Sequence, residues 1–237
     1  MLQTTRAIVL RTVRHGDSRA VVTAYTERFG LRAYVIQFSR RKGITSGQVQ
    51  ALSRVELVVD ERHDRDLHQV RELRVEAPYL HVHGDPLRSS LILFVQEILL
   101  RSLREESSDR DLFQFVHKVT DVVDRAEDLS HFPLVFLLKL SGHLGFFPAS
   151  PGAGETNFDL LEGHFVQREA PSGHGLTPPL STALAGLLGS ELTDTISPRL
   201  PHNQRRELLD QLLVYYRLHV EGMGELRSIA VLQQVMA

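Results

Sequence analysis

The sequence predicts an α+β protein with two domains, a small β-barrel followed by a mainly α-helical domain. Before residue 78 the apolar residues are often β-branched and come in short runs separated by turn residues, whereas after it they recur at helical spacing. A segment rich in proline, glycine and serine interrupts the helices. We therefore place the domains at 1–78 and 79–237, with an irregular insertion at 146–179.

Five strands are predicted in the first domain, enough to close a small barrel. They span residues 6–14, 20–26, 31–38, 49–60 and 67–76. Side chains of a strand alternate between two faces. In the third strand we expect the odd-numbered residues from Leu31 to Val35 to face the core and Arg32, Tyr34 and Ile36 to project outward.

The second domain begins with the clearest helical pattern, which extends from Leu87 to Leu103. Asp85 precedes it as a helix cap, and Pro86 suits the first helical position. Further helices are predicted at 111–126, 131–144, 180–188, 204–220 and 225–236. Between two of them, the alternation over 157–167 and its turn at Glu162-Gly163 predict a small β-hairpin.

The charge of the chain is unevenly distributed. The first fifty residues carry nine Lys and Arg against two Asp and Glu, which is a net charge of +7, while the remainder carries −9. Attraction to phosphates depends on this local field rather than on the overall charge of −2. The asymmetry indicates a polyanionic partner for the first domain and makes the acidic second domain a better platform for proteins.

The strongest basic motif is Ser39-Arg40-Arg41-Lys42-Gly43, a polar loop after the third strand. An isolated run of this kind is more often a solvated loop, but the scarcity of acidic residues around it favours contact with phosphates. Tyr25 and Phe38 are available for base stacking if they face outward. The residues that we expect to contact DNA are Arg6, Arg11, Arg14, Arg28, Arg32, Tyr34, Arg40, Arg41 and Lys42.

Neither catalysis nor metal binding is predicted. His15, Asp17 and Ser18 are neighbours on one turn and cannot form a catalytic relay, which needs groups from separate elements. The chain has no cysteine, and histidines such as His81 and His83 lack a convincing third metal ligand. We expect no enzyme activity, no metal and no cofactor.

The sequence also lacks the features of an exported or membrane-spanning protein. No run approaches the roughly twenty apolar residues that a transmembrane helix needs, and the first residues do not form a signal peptide. We expect a cytoplasmic protein associated with the nucleoid.

One helix of the second domain carries a candidate protein-binding stripe. Core packing is the default explanation for Phe136, Leu140 and Leu144, but an exposed end of this stripe beside Lys139 would suit an acidic, apolar tail of a partner. Other basic residues that could edge such a pocket are Arg199, Arg205, Arg206, Arg217 and Arg227.

Several motifs occur in a characteristic order. They are Arg6 to Leu10, Gly16-Asp17-Ser18, Thr26 to Gly30, the basic loop Ser39 to Gly43, the segment FLLKLSGHLGFF at 136–147, and Leu226-Arg227-Ser228 after Tyr215-Tyr216. Each motif alone is weak, but together they resemble the RecO recombination mediators of bacteria over nearly the whole chain.

The resemblance implies an N-terminal OB-fold barrel that binds single-stranded and double-stranded DNA. It further implies annealing of complementary strands, binding to the C-terminal tail of single-strand-binding protein, and loading of RecA together with RecR, without catalytic turnover. Many family members carry a four-cysteine zinc site where this chain has 147–174. Because cysteine is absent, zinc is not implied here, and we expect Phe158, Leu160 and Phe165 to anchor the hairpin by packing.

Two other functions remain open. A protein-binding adaptor would use the barrel to bind an acidic protein surface without contacting DNA. A nuclease or other hydrolase would need clustered carboxylates to hold metal ions, and the first fifty residues offer only Asp17 and Glu27.

Overall fold

The computed structural model describes residues 2–39, 43–60, 67–104, 107–194 and 199–235. The chain forms two compact units, Met1–Arg125 and Ala126–Ala237, so the first two helices group with the barrel. Within the described residues, no helix has both the length and the apolar character needed to cross a membrane.

The first unit contains a closed barrel of five strands. They are β1 (Leu2–His15), β2 (Arg19–Thr26), β3 (Gly30–Gln37), β4 (Arg54–Asp60) and β5 (Leu67–Ala77). Their order around the barrel is β1-β2-β3-β5-β4, and β1 also pairs with β4 to close it. All described pairings are antiparallel except β3 with β5. This is the connectivity of an OB-fold barrel, and it confirms the predicted fold class.

The predicted orientation of β3 is wrong. Tyr34 and Ile36 lie in the barrel core, with 0% and 1% of their surfaces exposed, and they pair with Val22 and Ala20 of β2, which are also buried. The alternation of the sequence shows which residues share a face, but both faces of this strand carry apolar side chains. The pairing with β2 therefore decides which face is inside.

The fourth strand starts at Arg54, five residues later than predicted. A short 3₁₀ helix spans Ser46–Val49, and the chain then turns through Leu52, whose φ is 54°. Leu52 is fully buried, and its N–H donates to the carbonyl oxygen of Val9. The apolar residues before Arg54 therefore cover the barrel from a turn and are not part of the strand.

Two helices complete the first unit, α1 (Pro86–Ser102) and α2 (Arg110–Arg125). As predicted, Asp85 caps α1 by accepting hydrogen bonds from the N–H groups of Leu87 and Arg88. The buried carboxylate of Asp124 in α2 accepts the N–H groups of Leu80, His81 and Val82. These bonds outweigh the effect of burial and keep the pKa of Asp124 below its ordinary value.

Helix α2 is also fixed to the barrel by a buried arginine. Arg54, with 1% of its surface exposed, forms an ion pair with Asp121 and donates to the carbonyl oxygen of Ala77. Its guanidinium lies 5.2 Å from the ring centre of Tyr79. Because a buried cation without partners would be costly, this set of contacts fixes the position of α2.

The second unit is mainly helical. Its helices are α3 (Phe132–His143), α4 (Leu180–Leu187), α5 (His202–His219) and α6 (Ser228–Val235). Helix α3 is buried along most of its length and packs against α5, where the Tyr216 hydroxyl donates to the carbonyl oxygen of Leu137 at 2.7 Å. The predicted helices are thus present, with ends that differ by a few residues.

The predicted hairpin is present and forms part of a three-stranded sheet. Its strands are β6 (Asn157–Asp159) and β7 (His164–Val166), and β8 (Gly175–Leu176) pairs with the other edge of β6. Strand β8 was not predicted, because two residues are too few to show an alternation of apolar and polar side chains. Phe158, Leu160 and Phe165 are buried as expected, with the two phenylalanine ring centres 4.9 Å apart.

Candidate nucleic-acid interface

Of the arginines predicted to contact DNA, those that the structure describes lie toward two separate ends of the barrel. Arg6 and Arg28 are near the β2–β3 turn, where Arg28 donates to the carbonyl oxygen of Thr4 at 3.2 Å. Arg14 is eight residues further along β1, an extended length of about 26 Å, beside the β1–β2 turn. These arginines are therefore too far apart to be neighbours on one contact surface.

Arg6 is already engaged within the protein. Its Nη2 lies 2.8 Å from Oε1 of Glu76, and its guanidinium lies 5.4 Å from the ring centre of Phe113. Only 35% of its side chain is exposed. A phosphate would have to compete with Glu76 for this cation, so Arg6 is a weak candidate for DNA contact.

Arg11 and Arg14 are better placed. Both side chains are exposed on the second half of β1, and neither forms an ion pair with any residue that the structure describes. The guanidinium of Arg14 lies 6.0 Å from the ring centre of Phe38. These two cations can bind phosphates without losing a carboxylate partner.

The basic loop begins at the same end of the barrel as Arg14. Ser39 and Ile44 form a two-way backbone bridge with N to O distances of 2.9 and 3.1 Å, and the N–H of Phe38 donates to the carbonyl oxygen of Ser18 in the β1–β2 turn. Arg40, Arg41 and Lys42 lie outside the described residues. Their contact with DNA stays a prediction, supported by the position of the residues on either side.

The predicted stacking residues are not available. Tyr34 is in the core, and Tyr25 is 2% exposed, with its ring centre 6.2 Å from that of Phe113. Phe38 is half-buried and packs against the barrel core and Arg14. Arg32 is also half-buried, and its Nη1 donates to the carbonyl oxygen of Leu31. Contact of this candidate surface with DNA would therefore depend mainly on charge.

Sequence reasoning missed Arg19. It is the first residue of β2, pairs with His15 and Gln37 on its two sides, and is exposed without an ion pair among the described residues. It counts toward the +7 charge of the first fifty residues, but it stands between Ser18 and Ala20 and belongs to no basic run. Only the strand pairing shows that it lies at the same end as Arg14.

The predicted tail-binding stripe is part of the core. Phe136 and Leu140 are fully buried, and Leu144 is half-buried. The ammonium of Lys139 lies 2.7 Å from Oε1 of Glu191, so this cation already has a carboxylate partner. Phe136 and Leu140 cannot contact a partner without unfolding of the second unit.

A different surface of the second unit combines apolar and basic groups. A shallow cleft, here called the α3–α5 cleft, lies between the first turns of these helices and the end of α6. Its lining residues include Pro133, Leu134, Leu209, Arg205, Arg206 and Gln233. Arg205 and Arg206 were among the basic residues expected to edge a pocket, but no sequence signal paired them with Pro133 and Leu134.

A histidine beside this cleft is held in its neutral form. The Nε2 atom of His131 accepts the N–H of Leu200 at 3.2 Å, so that nitrogen carries no proton. Burial lowers the pKa of His131, and the nearby Arg205 and Arg199 lower it further, while Asp128 acts in the opposite direction. His131 therefore joins the segment before α5 to the start of α3.

Metal ligands do not cluster in the part of the chain that the structure describes. No group of three or more His, Asp or Glu side chains there is arranged to hold a metal ion. The region of the three-stranded sheet is organised by Asp159, which is fully buried and accepts hydrogen bonds from Leu161, Glu162 and Ser172.

Comparison with known proteins agrees with this architecture. Residues 1–79 match the family model described as recombination protein O N terminal, and residues 83–228 match its C-terminal counterpart. Proteins named DNA repair protein RecO from Azobacteroides pseudotrichonymphae and Bacteroides fragilis are each 30% identical, over 239 and 242 residues. Another, from Christiangramia forsetii, is 29% identical over 238 residues. Each alignment covers 99% of both chains. The chain belongs to the recombination protein O (RecO) family.

Proposed function

We propose that this protein is a DNA repair mediator that binds single-stranded and double-stranded DNA through its barrel and anneals complementary strands. We further propose that it helps to load RecA, together with RecR, onto DNA coated by single-strand-binding protein. The observation that carries the DNA-binding proposal is the group of exposed cations without carboxylate partners among the described residues, Arg11, Arg14 and Arg19, at one end of an OB-fold barrel. The proposed work with RecR and RecA is supported only by membership of the family.

The proposed mechanism is electrostatic and needs no catalytic turnover. Cations that bind the phosphates of two strands reduce the repulsion that opposes their pairing, while complementary bases supply the sequence information. If about six phosphates of a single strand are neutralised, the logarithm of the binding constant should fall with the logarithm of salt concentration with a slope of roughly −4.

The test is strand annealing by the purified protein and by two charge-matched double variants. Arg11→Ala with Arg14→Ala should slow annealing and weaken binding to both forms of DNA. Arg74→Ala with Arg110→Ala removes the same charge from side chains that are 77% and 76% exposed and lie elsewhere on the first unit, so it should have little effect. Equal loss in both double variants would contradict the proposed surface. A protein that binds no DNA at low salt would instead be the adaptor.

We also propose that the α3–α5 cleft binds the C-terminal tail of single-strand-binding protein, an acidic segment with an apolar end. Pro133, Leu134 and Leu209 provide an apolar floor, and Arg205 and Arg206 provide charge at its edge. The N-cap of α5 is Pro201, which has no side-chain acceptor, so the positive end of the helix dipole remains available to a carboxylate. This cleft replaces the stripe at Phe136 and Leu140 as the proposed location.

A further inference from the structure

A histidine of α2 lies between two carboxylates, each of which already has an arginine as its partner. The Nε2 atom of His117 is 3.5 Å from Oε1 of Glu76 on β5, and its Nδ1 atom is 3.6 Å from Oδ2 of Asp121, one turn further along α2. Glu76 also pairs with Arg6 of β1, and Asp121 pairs with Arg54 of β4. The imidazole therefore connects an ion pair of the barrel to one between α2 and the barrel. These five side chains are here called the His117 network.

The positions of the two carboxylates suit a protonated imidazole. The Nε2 atom of His117 is buried and has no hydrogen-bond partner among the described residues. A neutral imidazole has one N–H and one lone pair, so one of its nitrogens faces a carboxylate with no proton between them. An imidazolium has an N–H on both sides and can donate to Glu76 and Asp121 at once. Protonation would therefore satisfy a buried nitrogen that is otherwise without a partner.

At neutral pH the ring is nevertheless mainly uncharged. Burial lowers the pKa of His117 below its ordinary value of 6.5, and the charges of Arg6 and Arg54 lower it further. The carboxylates of Glu76 and Asp121 act in the opposite direction. Because each carboxylate is already paired with an arginine, a further positive charge is poorly compensated. An anion that took Arg6 away from Glu76 would change this balance in favour of the imidazolium.

A second cation lies close to Arg6 at the surface. Arg28 is exposed, and its Nη1 donates to the carbonyl oxygen of Thr4, two residues before Arg6. Glu27 lies 4.0 Å from Arg6 but also 3.9 Å from Arg110, so Glu76, at 2.8 Å, is the closer partner of Arg6. A phosphate bound by Arg6 and Arg28 would therefore compete chiefly with Glu76.

We propose that His117 controls the availability of Arg6, because protonation of His117 gives Glu76 another partner and releases Arg6 to bind a phosphate of DNA together with Arg28. The proton comes from the solvent, so DNA binding at this end of the barrel takes up a proton and acidification strengthens it. The two effects are equal in size because coupling between two sites is reciprocal. This inference rests on the proposed DNA binding by the barrel and adds a contact that depends on pH.

The first test measures the affinity for a labelled single strand by fluorescence anisotropy at several pH values and constant salt. Between about pH 7.5 and about pH 5.5, His117→Gln should lose about threefold of the gain in affinity that the unaltered protein shows, the size expected for competition from a partly exposed ion pair. His83→Gln is the matched control, because His83 is exposed in the segment before α1 and lies outside the network. Equal pH dependence of the two variants would overturn the proposal.

The second test removes the competing carboxylate. Glu76→Gln releases Arg6 at every pH, so at about pH 7.5 it should bind DNA about threefold more tightly than Glu72→Gln does. Glu72→Gln is matched because it removes the same charge from the same strand and releases Arg74 instead. The pH dependence of Glu76→Gln should also resemble that of His117→Gln. Equal affinities of Glu76→Gln and Glu72→Gln would contradict the role of Glu76.

A third measurement follows the imidazole of His117 in the unaltered protein by NMR. Its resonance is assigned by its absence from the spectrum of His117→Gln. Addition of DNA should raise the pKa of His117 by about half a unit, which corresponds to a threefold change in affinity. If the protein binds DNA while this pKa stays unchanged, the proposed control by His117 is wrong and DNA binding remains intact. Failure of the unaltered protein to bind any DNA would overturn the proposed function itself.

Discussion

The hydroxyl of Ser172 donates a hydrogen bond of 2.6 Å to the carboxylate of Asp159, and this bond joins the segment before β8 to β6. The same carboxylate accepts the N–H groups of Leu161 and Glu162 at 2.9 and 3.2 Å. The resemblance to the family implies that many of its members have a four-cysteine zinc site in this region. In this chain a buried carboxylate cross-links three parts of it without any cysteine.

Asp159→Asn should destabilise the second unit by about 2 kcal/mol, because the remaining hydrogen bonds go to a neutral oxygen and the new Nδ2 cannot accept the N–H of Ser172 as Oδ2 does. Ser172→Ala should cost about 1 kcal/mol. Urea denaturation followed by circular dichroism measures both. Glu169→Gln, which removes the same charge from an exposed side chain of this region, should have little effect. If it proves as destabilising as Asp159→Asn, the hydrogen bonds are not the cause.

The same carboxylate predicts a dependence of stability on pH. Burial raises the pKa of Asp159, but the hydrogen bonds from Ser172, Glu162 and Leu161 outweigh it and leave the pKa below its ordinary value. A lowered native pKa means that the contribution to stability is present above the unfolded value of 3.8 and is lost as the pH falls through the native value. The acid side of the stability curve should therefore be less steep in Asp159→Asn than in the unaltered protein.

His131 predicts a second loss of stability on acidification, which begins at a higher pH than the loss caused by Asp159. Its native pKa lies below the ordinary value of 6.5, mainly because of burial, so the unfolded chain takes up a proton before the native protein does. Its contribution is complete above 6.5 and declines as the pH falls from there through the native value. His131→Ala should reduce the difference in stability between about pH 7.5 and about pH 5.5. His117, whose pKa is also lowered chiefly by burial, should leave a residual slope.

Reversing the charge of one arginine tests the proposed binding of an acidic peptide in the α3–α5 cleft. Arg206→Glu should weaken binding of an acidic peptide that ends in an aromatic residue by about tenfold, because an attractive charge becomes a repulsive one. Arg217→Glu makes the same change further along α5, outside the cleft, and should have a smaller effect. Amidation of the peptide C-terminus should also weaken binding if the free N-terminus of α5 holds the carboxylate. Anisotropy titrations measure these affinities. If Arg206→Glu, Arg217→Glu and the unaltered protein bind the peptide equally well, the cleft is not its binding site.

The basic loop predicts a change in salt dependence. Replacing Arg40, Arg41 and Lys42 with alanine removes up to three phosphate contacts, so the slope of about −4 should flatten to about −2. Titrations with single-stranded DNA at several salt concentrations measure this slope. An unchanged slope and affinity would remove the loop from the interface.

The helices were predictable because their signals are local. Asp85 and Pro86 mark the start of α1 from sequence alone, since a cap and a fixed φ act within a few residues. Strand orientation is different. The sequence places Tyr34 and Ile36 on one face of β3, but the choice of the inner face depends on the pairing with Val22 and Ala20 of β2, which alternation does not encode.

The candidate binding surface was also predictable only in part, again because some of its features are local and others depend on the fold. Nine cations in the first fifty residues are a property of the sequence, and this excess of positive charge is enough to indicate a polyanionic partner. Which of them are available depends on partners that are distant along the chain. Glu76 lies 70 residues after Arg6 and engages it, whereas Arg14 and Arg19 have no such partner among the described residues.

Periodicity, composition and motif order are carried by neighbouring residues, so they were enough to establish the order of barrel and helices, the basic character of the barrel, and the resemblance to the RecO family. They were not enough to place Tyr34 in the core, to exclude Phe136 and Leu140 from a docking stripe, or to bring Arg205 and Arg206 beside Leu134. The reason is physical. Burial and access depend on which distant strands and helices pack together, and this packing follows from the energy of the whole fold.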